Sequence, residues 1–71
     1  MQISLNGEIR QLRDGMTVAD LVDELGMGDR RIAVEINLNI VPRSLHAQQV
    51  IHDGDKVEIV QAIGGGSIQS R

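Results

Sequence analysis

The sequence predicts an α+β fold in which a mixed sheet of about five strands carries one main helix on one face. Short stretches of alternating polar and apolar residues, typical of strands, lie on both sides of a single stretch with helical periodicity. Turn signals such as Asn-Gly and Asp-Gly separate these stretches. Because the chain has 71 residues and no aromatic side chain, we expect one small domain with an aliphatic core.

The first two strands are expected to form a hairpin around Asn6-Gly7, a strong turn signal. A two-residue turn sets Leu5 opposite Glu8, whereas a three-residue loop pairs Leu5 with Ile9. A slip of one residue moves every side chain to the other face of the sheet. Ile9 and Leu12 therefore cannot both be core residues of a regular strand, and we favour Leu12.

A helix is predicted to begin after Thr17. Thr17 and Asp20 have the spacing of a capping box, in which each side chain accepts a hydrogen bond from the other residue's backbone N–H. Apolar residues then recur at i, i+3, i+4 and i+7 and form one stripe for the core: Val18, Leu21, Val22 and Leu25. Gly26 and Gly28 suit the end of this helix. We interpret the acidic residues on its other side as a solvated face.

The second half of the chain contains the remaining strands. Residues 32–36 alternate with one apolar face, and a turn at residues 37–39 leads into a short strand that Pro42 ends. Residues 44–50 are interpreted as a brief helical turn that packs Leu45.

The last strand is expected at residues 56–63, with Val57 and Ile59 facing the core. The helix makes a crossover between strands two and three, so strands one and three can be near neighbours with the last strand inserted between them. This arrangement is the β-grasp, or ubiquitin-like, fold.

Composition argues against several functions. The chain has no cysteine, which excludes disulfides, thiolate zinc sites and a cysteine nucleophile and fits a cytoplasmic location. Its net charge is −3 and it lacks aromatic residues that stack on bases, so we expect no nucleic-acid partner. No apolar run approaches the roughly 20 residues that span a bilayer, so we expect a soluble protein without a membrane partner.

The residues that could carry catalysis are few and scattered. His46 and His52 lack the further ligands that a metal site needs, and Asp53-Gly54-Asp55 is typical of a turn. The sequence around the serine and threonine residues does not indicate a nucleophilic relay. We therefore expect neither a metal nor an enzymatic activity in this chain.

The end of the chain is the candidate site. We divide the chain into a domain at residues 1–63, a flexible arm at residues 64–66 and an extension at residues 67–71, for which we favour an origin in cloning. Gly64, Gly65 and Gly66 have no side chain to pack, and three extended residues reach about 10 Å. A carboxylate on Gly66 would be unhindered and could be activated as an acyl adenylate.

Several segments together resemble the ThiS family, the sulfur carriers of thiamine biosynthesis. The resemblance covers the chain from Met1 through Gly66. It is carried by Glu35-Ile36-Asn37, Ile40-Val41-Pro42-Arg43-Ser44, the stretch from Asp53-Gly54-Asp55 to Val60, and Ala62-Ile63-Gly64-Gly65-Gly66.

The resemblance implies a cycle in which the chain is substrate and carrier. A ThiF-like adenylyltransferase would use ATP to adenylate Gly66, with Gly64 and Gly65 forming the arm in the partner's channel. Sulfur from a cysteine desulfurase would then convert the adenylate to a thiocarboxylate, which donates sulfur to a thiazole synthase (ThiG-like). No cofactor would be bound by the chain itself.

Partner docking is expected on the sheet near the last strand. Val60 and Ala62 point away from the core-facing residues of that strand if it is regular, and Arg43 is a candidate anchor for an acidic partner group. Alternative interpretations are a molybdopterin synthase small subunit, a ubiquitin-like modifier, or a β-grasp binding module without covalent chemistry.

The chain departs from the family pattern after Gly66. Residues 67–71 place the required carboxyl inside a peptide bond. Either the extension derives from cloning, which we favour, or it is removed first, or the family function is blocked in this form.

Overall fold

A computed structural model describes residues 1–28, 30–63 and 67–68, with the backbone alone for residues 62, 63, 67 and 68. Its elements in chain order are β1 (Gln2–Leu5), β2 (Glu8–Gln11), α1 (Val18–Glu24), β3 (Ile32–Ile36), β4 (Asn39–Val41), a 3₁₀ turn (Arg43–Leu45), β5 (Lys56–Ile63) and β6 (Ser67–Ile68). None of the helices in these ranges is long and apolar enough to cross a membrane.

The sheet confirms the predicted fold class. Its strand order is β2-β1-β5-β3-β4, so the last long strand lies between the first and third. β5 is parallel to β1 and antiparallel to β3, and the outer pairs are antiparallel hairpins. The short β6 pairs with the end of β5. The mixed sheet follows from the crossover through α1, which returns the chain to the other side of β5.

The first hairpin adopts the two-residue register. Leu5 pairs with Glu8, which leaves Ile9 on the outer face with 66% of its surface exposed. Leu12 packs against the core as favoured, and its N–H donates to the carbonyl of Met1 at 2.8 Å.

The capping box predicted for α1 is present. The Thr17 hydroxyl accepts from the Asp20 N–H at 3.2 Å, and the Thr17 N–H donates to the Asp20 carboxylate at 3.0 Å. These bonds satisfy donors that have no partner inside the helix. Gly26, with φ of 72°, follows the helix in the left-handed conformation that favours glycine.

The core lies between the sheet and α1. Its side chains come from β1, β3, β4, β5, the helix and two connecting segments: Ile3, Leu5, Met16, Val18, Leu21, Val22, Val34, Ile36, Val41, Ile51, Val57 and Ile59. The predicted inward positions of Val57 and Ile59 are confirmed. Leu25, at the end of the predicted stripe, is partly buried against this core.

The predicted packing of Leu45 is wrong, because 44% of its side chain is exposed. The 3₁₀ turn spans Arg43–Leu45, and both of these residues are exposed. His46, the residue that follows the turn, faces the core instead. The His46 ring is buried, and its Nε2 lies 3.0 Å from the carbonyl oxygen of Val41.

Two hairpin turns of the same shape contain different residues. Asn6 and Gly7 have φ values of 50° and 86°, and Asn37 and Leu38 have 52° and 71°. Positive φ at both central positions matches the right-handed twist of the strands and favours Asn-Gly. Leu38 occupies the glycine position with 70% of its side chain exposed, so it bears the strain with little burial to offset it.

We predict that Leu38→Gly raises the free energy of unfolding by up to about 1 kcal/mol, because left-handed strain is relieved while glycine adds some backbone entropy to the unfolded chain. Urea denaturation measures the change. The reciprocal Gly7→Leu is the matched control: a Cβ at Gly7 meets no atom within 4 Å, so its expected loss of about 1–2 kcal/mol reports backbone strain alone. Equal stability of Leu38→Gly and the parent would contradict the strain.

The capping box gives a second prediction. Thr17→Ala should lower the free energy of unfolding by about 1 kcal/mol, since it removes an N-cap acceptor. Two hydrogen bonds with Thr17 lower the pKa of Asp20 below its ordinary value of 3.8. The bond to the Thr17 backbone has the larger effect and the bond to the Thr17 side chain the smaller. Because the pKa of Asp20 is lower in the folded than in the unfolded state, the Asp20 charge stabilises the fold at pH values above 3.8. This stabilisation is lost as the pH falls through the pKa of the folded state.

Asp20→Asn, which does not titrate, tests the charge. The stability advantage of the parent over this variant should shrink as pH is lowered below 3.8 in thermal unfolding. If the difference in stability between the parent and Asp20→Asn stays constant down to strongly acidic pH, the Asp20 charge does not stabilise the fold.

Candidate functional site

The candidate site is the end of the central strand. β1 pairs with β5 up to Leu5 opposite Val57, and β3 pairs with it up to Ile32 opposite Gln61. Within the described part of the chain, the last two residues of β5 pair with β6 alone. The strand that leads towards the glycines is therefore held in the middle of the sheet and runs past its neighbours.

The side chain of Asn6 extends the pairing of β1 with β5 beyond the end of β1. The chain turns away after Leu5, and the Asn6 amide then bonds to both backbone groups of Ile59. Asn6 Oδ1 accepts from the Ile59 N–H at 2.8 Å, and Asn6 Nδ2 donates to the Ile59 carbonyl at 3.2 Å. The Asn6 N–H also donates to the Val57 carbonyl at 2.9 Å. The Asn6 side chain thus makes the two hydrogen bonds to Ile59 that backbone groups would make if β1 continued beside β5.

A second asparagine fixes the start of β5. Asn37 Oδ1 accepts from the Lys56 N–H at 3.0 Å, and Asn37 Nδ2 donates to Asp55 Oδ1 at 3.1 Å. The other Asp55 oxygen accepts from the His52 N–H at 2.8 Å, and Gly54 has φ of 85°. This geometry matches the turn chemistry predicted for the Asp-Gly-Asp segment, and β5 is secured at its beginning as well as along its length.

Two of the predicted docking residues, Val60 and Ala62, belong to β5. Val60 is half-buried on the outer face of the sheet, opposite Ala33. Glu35 and Glu58 pair across the same two strands one position away on that face. The surface around Val60 is therefore acidic as well as apolar. The backbone of Ala62 continues β5, and its side chain lies outside the described residues.

Arg43 lies apart from the outer face. Its guanidinium donates to the carbonyl oxygens of Gly28 at 3.1 Å and Arg30 at 3.4 Å, so it ties the 3₁₀ turn to the segment after α1. Its docking role stays a prediction, as do those of Val60 and Ala62.

The predicted arm and the predicted sulfur-carrying residue lie outside the described residues. Gly64, Gly65 and Gly66 fall between the last residue of β5 and the first of β6. Their predicted roles, and the predicted boundaries of the arm and extension, remain predictions.

Two open grooves flank the 3₁₀ turn. One, of about 320 Å³, is lined by Leu45 and His52 among others, and the second, of about 380 Å³, by Ala19 and His46 among others. Among the residues with described positions, no three or more His, Cys, Asp or Glu side chains are grouped to hold a metal ion.

A family model described as the ThiS family matches residues 3–66. The chain is 39% identical over 66 residues to the sulfur carrier protein ThiS of Escherichia coli, a match that covers 93% of this chain and 100% of that protein. A crystal structure of the thiamine biosynthesis protein ThiS from Geobacter metallireducens superposes with a TM-score of 0.81 at 26% identity, covering 93% of this chain and 100% of that one.

Longer proteins also match. The chain is 53% identical over 70 residues to a thiazole synthase of Paramagnetospirillum magneticum, which covers 99% of this chain and 22% of that protein. A thiazole synthase of Magnetococcus marinus is 38% identical over 66 residues, 93% of this chain and 20% of that protein. The chain thus spans about a fifth of the length of these two relatives.

The two hydrogen bonds between the Asn6 side chain and the Ile59 backbone are here called the Asn6 clamp. They give a prediction about the strand that leads to the site. Glycine accepts positive φ, so Asn6→Gly removes the two side-chain hydrogen bonds without adding strain. We expect the free energy of unfolding to fall by about 1–3 kcal/mol, because two backbone groups of Ile59 lose their partner. Denaturant unfolding measures the loss, and hydrogen exchange should show faster exchange at the Ile59 amide. Unchanged or increased stability would mean that Asn6 acts only as a turn residue.

Proposed function

The chain belongs to the ThiS family, and on that premise we propose that the carboxyl group of Gly66 is the atom group that carries its sulfur. The protein is a sulfur carrier of thiamine biosynthesis and acts as a substrate of partner enzymes rather than as an enzyme. The observation that carries the proposal is the central position of β5, whose continuation leads directly to the three glycines.

The proposed cycle has three steps. In the first, a carboxylate oxygen of Gly66 attacks the α-phosphorus of ATP on a ThiF-like adenylyltransferase, and pyrophosphate leaves. A persulfide supplied through a cysteine desulfurase then attacks the acyl carbon and AMP leaves, and a thiol reductant cleaves the resulting acyl disulfide to the thiocarboxylate. The thiocarboxylate finally gives its sulfur to the forming thiazole on a ThiG-like synthase. The chain binds no cofactor, and ATP belongs to the adenylating partner.

The chemistry of glycine supports this assignment. A terminal glycine has no Cβ, so its acid can enter a narrow channel in which a side chain would collide with the walls. An arm of three residues reaches about 10 Å when extended. The folded domain then serves to position this arm, and we place the cycle in the cytoplasm, where the partner has ATP.

The thiazole synthase partner has support of a different kind. Two proteins named thiazole synthase each contain a region similar to this chain. A covalent link between carrier and synthase regions is expected where the two act in succession, because it raises their effective concentration. We propose docking through the outer face around Val60 and Ala62, with Arg43, which lies apart from that face, as a separate contact with the partner.

The decisive experiment uses the chain ending at Gly66. It is incubated with ATP, a ThiF-like adenylyltransferase and a sulfur source, and its intact mass is measured. We expect the mass increase of one exchange of oxygen for sulfur. The matched control is the same chain with a carboxamide at Gly66, which has the same fold and arm but no acid and should gain nothing. An unmodified free-acid chain, beside an adenylyltransferase that is active on another carrier, would refute the proposal.

A further inference from the structure

The sheet has an open edge at β2. This strand is the last on its side of the sheet, and no other strand in the described part of the chain pairs with its outer edge. All four of its residues are exposed. A proline, a bulge or a very short strand usually protects such an edge. β2 has an unbroken register and no proline, whereas β4 at the opposite edge has three residues and is followed directly by Pro42.

The register between β1 and β2 shows which backbone groups of β2 point outward. The Leu12 N–H donates to the Met1 carbonyl at 2.8 Å, and the Met1 amino group donates to the Leu12 carbonyl at 2.7 Å. Hydrogen-bonded pairs alternate with non-hydrogen-bonded pairs along an antiparallel ladder, so Ile9, opposite Ser4, belongs to the second kind. The Ser4 N–H accordingly turns away from β2 and donates to the Asp55 carbonyl at 3.0 Å. The N–H and the carbonyl of Ile9 therefore face the open edge.

The residues on either side of Ile9 carry opposite charges. Glu8 and Arg10 are both exposed, and neither side chain makes a hydrogen bond or an ion pair with the residues that the structure describes. Both point to the face of the sheet that carries α1, since they pair with Leu5 and Ile3 of the core. Charges on an edge strand usually oppose further pairing. These two are instead complementary to the same strand running in the opposite direction.

We infer that β2 binds β2 of a second copy of this chain, antiparallel and centred on Ile9. In that register, the Ile9 N–H of each copy donates to the Ile9 carbonyl of the other. Glu8 of each copy then lies opposite Arg10 of the other, in non-hydrogen-bonded pairs whose side chains approach most closely. The interface has two-fold symmetry, so this favourable pair occurs twice.

Charge selects this register over its neighbours. A pairing centred on Arg10 would set the two arginines directly opposite each other, which is destabilising. A pairing centred on Gln11 would set Arg10 opposite Leu12 and leave its charge without a partner. Only the pairing centred on Ile9 joins both charges of each strand to opposite charges.

The expected dimer is weak and leaves the candidate site uncovered. Three residues of each strand pair, and we expect a contact smaller than the roughly 1,200 Å² of a standard interface. The net charge of −3 on each copy opposes association, although physiological salt screens it beyond about 8 Å. We therefore expect a dissociation constant between about 10 μM and 1 mM. The second copy adds beyond β2, two strands away from β5, so the inference is independent of the proposed function.

Sedimentation velocity of the full chain between about 10 μM and 1 mM tests the inference, and we expect a shift from monomer to dimer. Glu8→Arg and Arg10→Glu each replace two favourable pairs with two like-charge pairs, so each should weaken dimerisation about tenfold or more. An equimolar mixture of these two variants restores both pairs in a heterodimer, and the double variant restores them in a homodimer. Both should regain the affinity of the parent. Asp23→Arg, an exposed charge reversal on α1, is the matched control and should leave dimerisation unchanged.

Two-dimensional NMR spectra check that each variant keeps the fold, as we expect for exposed side chains without partners in the described part of the chain. A double variant that stays monomeric would overturn the proposed register, because only a pairing centred on Ile9 is restored by exchanging the two charges. Dimerisation unaffected by the single reversals would mean that the copies meet elsewhere, and this would overturn the proposal. A parent chain that stays monomeric up to about 1 mM would also overturn it, in favour of a strand from a different protein at this edge.

Discussion

The structure depends on the insertion of β5 between β1 and β3. Both neighbours come from distant parts of the chain, and the parallel pairing with β1 requires the crossover through α1. Val57 of β5 and Val34 of β3 are fully buried where these strands meet the core. Because the core contains no aromatic residue, its stability comes from close packing of aliphatic side chains over this junction. Loss of the β5 pairing would remove the centre of the sheet.

This constraint accounts for the division that we propose between a fixed body and a reactive end. The same strand that forms the centre of the sheet continues into the glycines, so the position of the site is set by the most enclosed part of the fold. In the proposed cycle the domain needs no catalytic side chains, because the partners supply the adenylate and the sulfur. Membership of the ThiS family and the two similar thiazole synthases fit this division and favour the thiamine branch over the molybdopterin and modifier alternatives.

Local signals predicted most of the fold. Alternation located the strands, the spacing of Thr17 and Asp20 located the helix start, and Asn6-Gly7 located the first turn. The Leu45 prediction failed because apolar character alone does not determine which side of a 3₁₀ turn faces inward. The Asn6 clamp was missed since the turn already explained that residue, and its bond to Ile59 joins positions 53 residues apart.

The candidate site was predictable in a different sense. The glycines are recognisable in the sequence because no packing argument requires three of them together, but the pairing of β6 with β5 has no comparable local signal. A strand of two residues is too short to show an alternating pattern, and its pairing partner depends on strand register rather than on composition. The residues alone therefore suggested the proposed chemistry, whereas the pairing of residues 67 and 68 required the structure.

In the proposed function a rigid body carries sulfur on one terminal acid. The most direct measurement compares two-dimensional NMR spectra of the chain ending at Gly66 before and after sulfur loading. We predict that the amide shifts change at Gly66 and its near neighbours and stay constant at core residues such as Val34 and Val57. An unchanged Gly66 signal in the loaded protein, or changes spread through the core, would contradict the account.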